Sequence, residues 1–157
     1  MFLRGHQKTN YSCLLQKLST AINYRSFMNK IGKIDISKLT TPPLKEEFLT
    51  AKLLAKQLNC DVEFIPPIQR KGARTPDIKM QNLSWEIKNP RKNGSNTIEN
   101  SLRNALRQSN NIIFDLRKLE KSQQNAINKL KNNFNTTKKL KNLIIITQTN
   151  KILRFQK

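Results

Sequence analysis

A single histidine, His6, and two cysteines, Cys13 and Cys60, are all that this 157-residue chain offers to soft-metal or imidazole chemistry. The cysteines stand far apart with no companion ligands, so a Cys/His zinc site cannot be assembled. They are expected to be reduced thiols on apolar helix faces. Nucleophilic triads built on histidine are excluded on the same ground, and a metal-free ribonuclease would depend on His6 alone, in a terminal segment. Acids are scarce too: 10 Asp+Glu stand against 30 Lys+Arg, a formal net charge of +20. Polyanions are the expected partner, nucleic acid first. No apolar run approaches the ~20 residues that span a bilayer. The N-terminus, Met1-Phe2-Leu3-Arg4-Gly5-His6-Gln7-Lys8, turns polar at once without a secretory leader, so cytoplasmic synthesis and no membrane span are expected.

What is present is concentrated in Thr75-Pro76-Asp77-Ile78-Lys79-Met80-Gln81-Asn82-Leu83-Ser84-Trp85-Glu86-Ile87-Lys88. A two-residue turn at Gln81-Asn82 makes this a β-hairpin with Met80 opposite Leu83, Ile78 opposite Trp85 and Asp77 opposite Glu86. Strand side chains alternate between faces. Ile78, Met80, Leu83, Trp85 and Ile87 then share an apolar face, and Asp77, Lys79, Ser84, Glu86 and Lys88 a polar one. Opposed side chains have Cβ atoms about 5 Å apart, where like charges repel. Two carboxylates so placed call for a cation, and a hard divalent metal with oxygen ligands is the natural one.

Around this hairpin the chain reads as an α/β domain over 41–157, preceded by an N-terminal helical extension and linker over 1–40. Tyr11 to Met28 has helical apolar spacing, and Gly32 to Thr41 reads as linker. Thr41-Pro42 signals a helix start. Leu44, Phe48, Ala51, Ala55 and Leu58 form its apolar stripe, with Glu47 on the stripe and Glu46 at its flank. Val62 to Ile65 reads as a short strand stopped by Pro66-Pro67, and Arg70 to Arg74 as a basic loop. A helix over roughly 97–110, a strand at 112–116, a second helix over 118–134 and a strand at 143–147 follow. Near-continuous apolar strands separated by helices imply a sheet covered on both faces.

Basic chain and paired acids together point to phosphodiester cleavage. Asp77 and Glu86 are the expected metal ligands. Lys88, on the face of Glu86, would stabilise developing charge, orient water or act as a base. Glu47 joins as a third acid if its helix packs beside the hairpin; the competing reading is an acid favoured by the helix dipole. Gln108 would orient water or substrate, and Arg74, Arg91, Lys92, Arg103 and Arg107 would hold phosphates. Against these readings stand solvated, ion-paired faces of a hairpin and a helix. A non-enzymatic nucleic-acid-binding module with a degenerate site is the alternative from another class.

A helix with Glu47, then Pro76-Asp77, Glu86-Ile87-Lys88 and a helix with Gln108, resembles the PD-(D/E)xK nuclease superfamily. The resemblance covers roughly 42–148 and implies a restriction-endonuclease-like core, a mixed β-sheet flanked by helices. The active site it implies is Asp77, Glu86 and Lys88, often with the helical Glu47. The wording Glu47 to Ala55, Arg74 to Asp77, Trp85 to Asn89 and Gln108 to Ile113 is further similar to the C-terminal tRNA nuclease domain of contact-dependent growth inhibition toxins. That narrower resemblance implies metal-dependent cleavage of tRNA (with Mg, Mn or Zn), delivery into a target cell and a cognate immunity protein. The large delivery protein of such toxins is not part of this sequence. A DNA endonuclease or resolvase of the same superfamily is the alternative within enzymes, since phosphate contacts do not separate RNA from DNA.

Overall fold

The computed structural model describes residues 31–68, 70, 72–92, 96–120 and 122–157. In chain order these form β1 (Ile34–Asp35), α1 (Lys45–Leu58), β2 (Val62–Phe64), β3 (Ile78–Met80), β4 (Leu83–Lys88), α2 (Thr97–Ala105), β5 (Asn111–Asp115), α3 (Gln124–Thr136), β6 (Asn142–Ile146) and β7 (Ile152–Gln156). The helix expected at Tyr11 to Met28, with Cys13 and His6, lies outside the described residues. Cys60 is half-buried and carries a free thiol.

The seven strands make one mixed sheet whose spatial order is the sequence order. β2–β3–β4 is an antiparallel meander, β4, β5 and β6 run parallel, and β7 returns antiparallel on β6. The hairpin register is the one the alternation required: Met80 faces Leu83, Lys79 faces Ser84 and Ile78 faces Trp85. Its turn is fixed by Gln81 and Asn82 at φ 52° and 61°, the left-handed pair of a type I′ turn, whose twist suits antiparallel strands.

Both faces of the central strands are covered, as their apolar runs demand. Ile112, Phe114, Leu143 and Ile145 pack under α2 and α3 with Ile98, Leu102, Leu130 and Phe134. Ile113, Ile144 and Ile146 join Trp85, Ile87, Ile78, Met80 and the α1 residues Ala51, Leu54 and Ala55 on the other face.

Several boundaries differ from the sequence reading. α1 begins at Lys45 rather than near Thr41, because Pro43 biases Pro42 away from helical backbone and Leu44 is still extended at φ −58°, ψ 139°. Leu44 therefore leaves the apolar stripe and is 67% exposed, and Leu83 at the hairpin turn is 38% exposed. Ile34–Asp35, within the stretch read as linker, is an edge strand paired parallel to Val62 and Glu63. α2 ends at Ala105, where Arg107 N–H and Gln108 N–H turn back to the carbonyls of Asn104 and Ala105. α3 starts only at Gln124, after a turn in which Leu119 N–H donates to the Leu116 carbonyl. β7 was not anticipated at all.

Candidate active site

The site forms where β3 gives way to the preceding loop. Asp77 lies one residue before β3 but keeps its place opposite β4, with its N–H donating to the Trp85 carbonyl at 3.0 Å. Its Oδ2 accepts the Ile87 N–H at 2.6 Å. The carboxyl is thus aimed back across the hairpin, close enough to Glu86 for the two charges to raise the Glu86 carboxyl. Glu86 is only 1% exposed although it lies on the hairpin's polar face. Its partner in β5 is Ile112, and the turn after α2 closes over it.

One oxygen of Glu86 is well served and the other is not. Oε1 accepts Lys88 Nζ at 2.5 Å and also the Gln108 amide. Oε2 is buried with no donor. A buried carboxylate oxygen without a partner is costly unless a proton or cation sits against it. Burial pushes Glu86 up to about 7, with the Asp77 charge adding to it and Lys88 opposing. Asp77 is raised too, first by burial.

Glu47 comes in from the first turn of α1. Burial, then the Asp77 charge, pushes it up to about 7, while the Leu44 N–H that it accepts and Lys88 pull it down. Glu47 thus stands in the first turn of α1, where the helix dipole favours an acid, and close enough to Asp77 for the two charges to interact. Gln108 also reaches the site, from the turn after α2 rather than from a helix. That turn is pinned by Ser109 Oγ donating to the Ser84 carbonyl at 2.7 Å and by Asn111 Nδ2 donating to the same oxygen at 3.0 Å.

The basic residues are less uniform. Arg74, Lys92, Arg103 and Arg107 are exposed. Arg91 is paired with Glu46 at 3.0 Å, and Lys118 holds the same carboxylate at 3.1 Å. Glu46 thus ties the loops after β4 and β5 to the start of α1. A second buried cluster lies nearby and was missed in the sequence. Asp115, 4% exposed, accepts Thr50 Oγ1 at 2.7 Å and the Arg117 fork at 2.5–3.0 Å. Its only sequence signal is an acid ending an apolar strand.

Among the described residues no three His, Cys, Asp or Glu side chains gather into a metal-binding cluster. The acid pair nevertheless has the chemistry of a hard divalent ion's ligands: two carboxylates, one with an orphaned buried oxygen.

The family model of the contact-dependent growth inhibition CdiA C-terminal domain matches residues 74–152, half of the chain. The chain belongs to this family. The part matched to the CdiA C-terminal domain runs from Arg74 into β7 and contains Asp77, Glu86, Lys88 and Gln108, but not Glu47. A chain of the CdiA-CT/CdiI toxin and immunity complex from Burkholderia pseudomallei shares the fold at TM-score 0.52 and 18% identity, covering 80% of this chain and 100% of that one. No curated protein matches. No described helix is long and apolar enough to cross a membrane.

Proposed function

We propose that this CdiA C-terminal domain is a toxin with the chemistry of PD-(D/E)xK enzymes, a metal-dependent endonuclease that hydrolyses RNA, with tRNA as its substrate. The observation that carries the reading is the buried pair Asp77–Glu86, with Glu86 Oε2 left without a donor in a chain of net charge +20. Asp77 and Glu86 would hold a divalent cation (Mg, Mn or Zn). When bound, such a cation neutralises phosphoryl charge and acidifies water. Lys88, fixed on Glu86 Oε1, presents its ammonium to charge that develops on the phosphate. Gln108 holds the same oxygen and so sets the Glu86 rotamer. Glu47, facing Asp77, is placed to take or give a proton near neutral pH. Arg74, Lys92, Arg103 and Arg107 stand exposed for the substrate backbone.

The tRNA assignment rests on the similarity of the Trp85-Glu86-Ile87-Lys88-Asn89 and Gln108 to Ile113 wording to growth-inhibition tRNA nucleases. Family membership and the fold shared with a toxin–immunity complex support delivery into a target cell and neutralisation by a cognate immunity protein. The test is incubation of the purified protein with total tRNA and with plasmid DNA, in Mg²⁺, Mn²⁺, Zn²⁺ or EDTA, beside Asp77→Ala. Cleavage of tRNA that needs a cation and is lost in Asp77→Ala is the expected result. Cleavage of plasmid alone would make it a DNA endonuclease. Salt-sensitive binding with no cleavage would make it a binding module.

A further inference from the structure

Beside the carboxylates lies a cleft of about 300 Å³ that has Asp77 and Glu47 in its wall. Pro42, Pro43, Pro67 and Pro76 line it, with Leu44 at the α1 start. Proline carries no backbone N–H, so at four positions this wall offers compact apolar rings and no backbone donor. The wall is held by Ile65 N–H donating to the Asp77 carbonyl and Ile68 N–H to Thr75 Oγ1, each at 3.0 Å. Leu44 presents its side chain 67% exposed at the mouth of this apolar wall.

We infer that this proline-walled cleft takes the unpaired base of the nucleotide next to the scissile phosphate, so that the enzyme acts on unstacked, single-stranded positions. The inference rests on the nuclease reading of Asp77 and Glu86 and adds the substrate's local structure to it. The chemistry of the walls selects the occupant. Among the described residues no lysine or arginine lines the cleft to hold a phosphate, whereas a base offers an apolar face to the prolines and Leu44 and an amino or ring N–H edge to the carboxylates. The volume falls at the lower end of the ~300–1,000 Å³ of ordinary ligand pockets. Continuity fixes the position, because one residue, Asp77, belongs both to the acid pair and to the cleft. A larger hollow of about 540 Å³ at the β1–β2 edge mixes Asp35, Asp61 and Glu63 with Lys33 and Lys79 and includes neither Asp77 nor Glu86. Bases in a duplex keep their faces in the stack, so only a loop, bulge or end can fill the cleft.

The test compares wild type with Leu44→Ala, a truncation at an exposed position that leaves the core untouched. Binding of a ten-nucleotide single-stranded RNA and of its blunt duplex is measured by fluorescence anisotropy in EDTA. Leu44→Ala is expected to weaken the single strand about five- to tenfold and to leave the duplex within about twofold. Equal losses on both probes, or no loss on either, overturn the cleft assignment. Cleavage of the same RNA by wild type with Mg²⁺ or Mn²⁺ is scored separately. If no RNA is cut, the nuclease reading fails while the anisotropy still decides the cleft.

Discussion

Replacing Glu86 by Gln separates the two things this carboxylate does. Glu86 is raised from 4.5 to about 7, chiefly by burial. The native state therefore binds more protons than the unfolded chain between those values, and stability falls as pH rises through the window. At about 1.4 kcal/mol per pH unit, the charged form costs about 3 kcal/mol at pH 8 and about 1 kcal/mol or less at pH 5. The side chain is 2% exposed, so solvent screens little of this. Gln keeps the shape: its carbonyl oxygen still accepts Lys88 and Gln108, and its amide donates towards Asp77. In EDTA, Glu86→Gln should be more stable than wild type by up to about 3 kcal/mol at pH 8, narrowing to about 1 at pH 5. Glu47, raised in the same way, is present in both proteins and cancels to first order.

The assay is urea unfolding followed by the fluorescence of Trp85, the chain's one tryptophan, which is 3% exposed and next to Glu86. A divalent cation should close most of the gap at pH 8. At a hundredfold excess over its dissociation constant it adds about 2.7 kcal/mol to wild type, and little to a variant that lacks one ligand. A variant no more stable than wild type at pH 8 in EDTA, or a gap that does not shrink at pH 5, would refute the claim that burial of charge dominates here.

Arg117→Ala strips the fork from buried Asp115 and should cost on the order of 3 kcal/mol by the same unfolding assay; Arg117→Lys should recover only part, since an ammonium cannot supply both bonds. The double variant Arg103→Ala, Arg107→Ala removes two exposed cations, and its log–log salt slope for RNA binding should be shallower than wild type by about 2; an unchanged slope would place the RNA elsewhere. Asn82→Gly relieves a left-handed residue at φ 61° and should raise stability by about 0.5–1 kcal/mol, read from the urea midpoint.

The hairpin was legible because its information is local. A period of two sorts its residues, and the Gln81-Asn82 turn fixes the pairing from Met80 opposite Leu83 to Ile78 opposite Trp85 without knowledge of the rest. The expected pair Asp77–Glu86 lies beyond that ladder, where Asp77 N–H bonds the Trp85 carbonyl instead. The buried strands around Ile113 and Ile144 were legible for the same reason. Element ends were less so, because they are decided by contacts between distant segments. The stretch 118–120, read as the start of a helix, instead wraps back, with Glu120 N–H on the Arg91 carbonyl. β7 is short, with exposed Arg154 and Gln156 between half-buried Leu153 and Phe155. Only the antiparallel partner β6 makes it a strand.

The alternation rule also placed Lys79 and Glu86 on one polar face, yet the first is exposed and the second 1% exposed. Nothing in the hairpin distinguishes them. The difference comes from the turn after α2, whose Ser109 and Asn111 fasten to the Ser84 carbonyl and carry Gln108 over the far end of the face. A polar strand face left to solvent is ordinary. The same face covered at one end strands a carboxylate beside Asp77, raises both acids, and leaves Oε2 without a donor. The motif supplies the acids, but the Ser84–Ser109–Asn111 fastening supplies their burial, and that fastening spans about a sixth of the chain and has no local period to betray it.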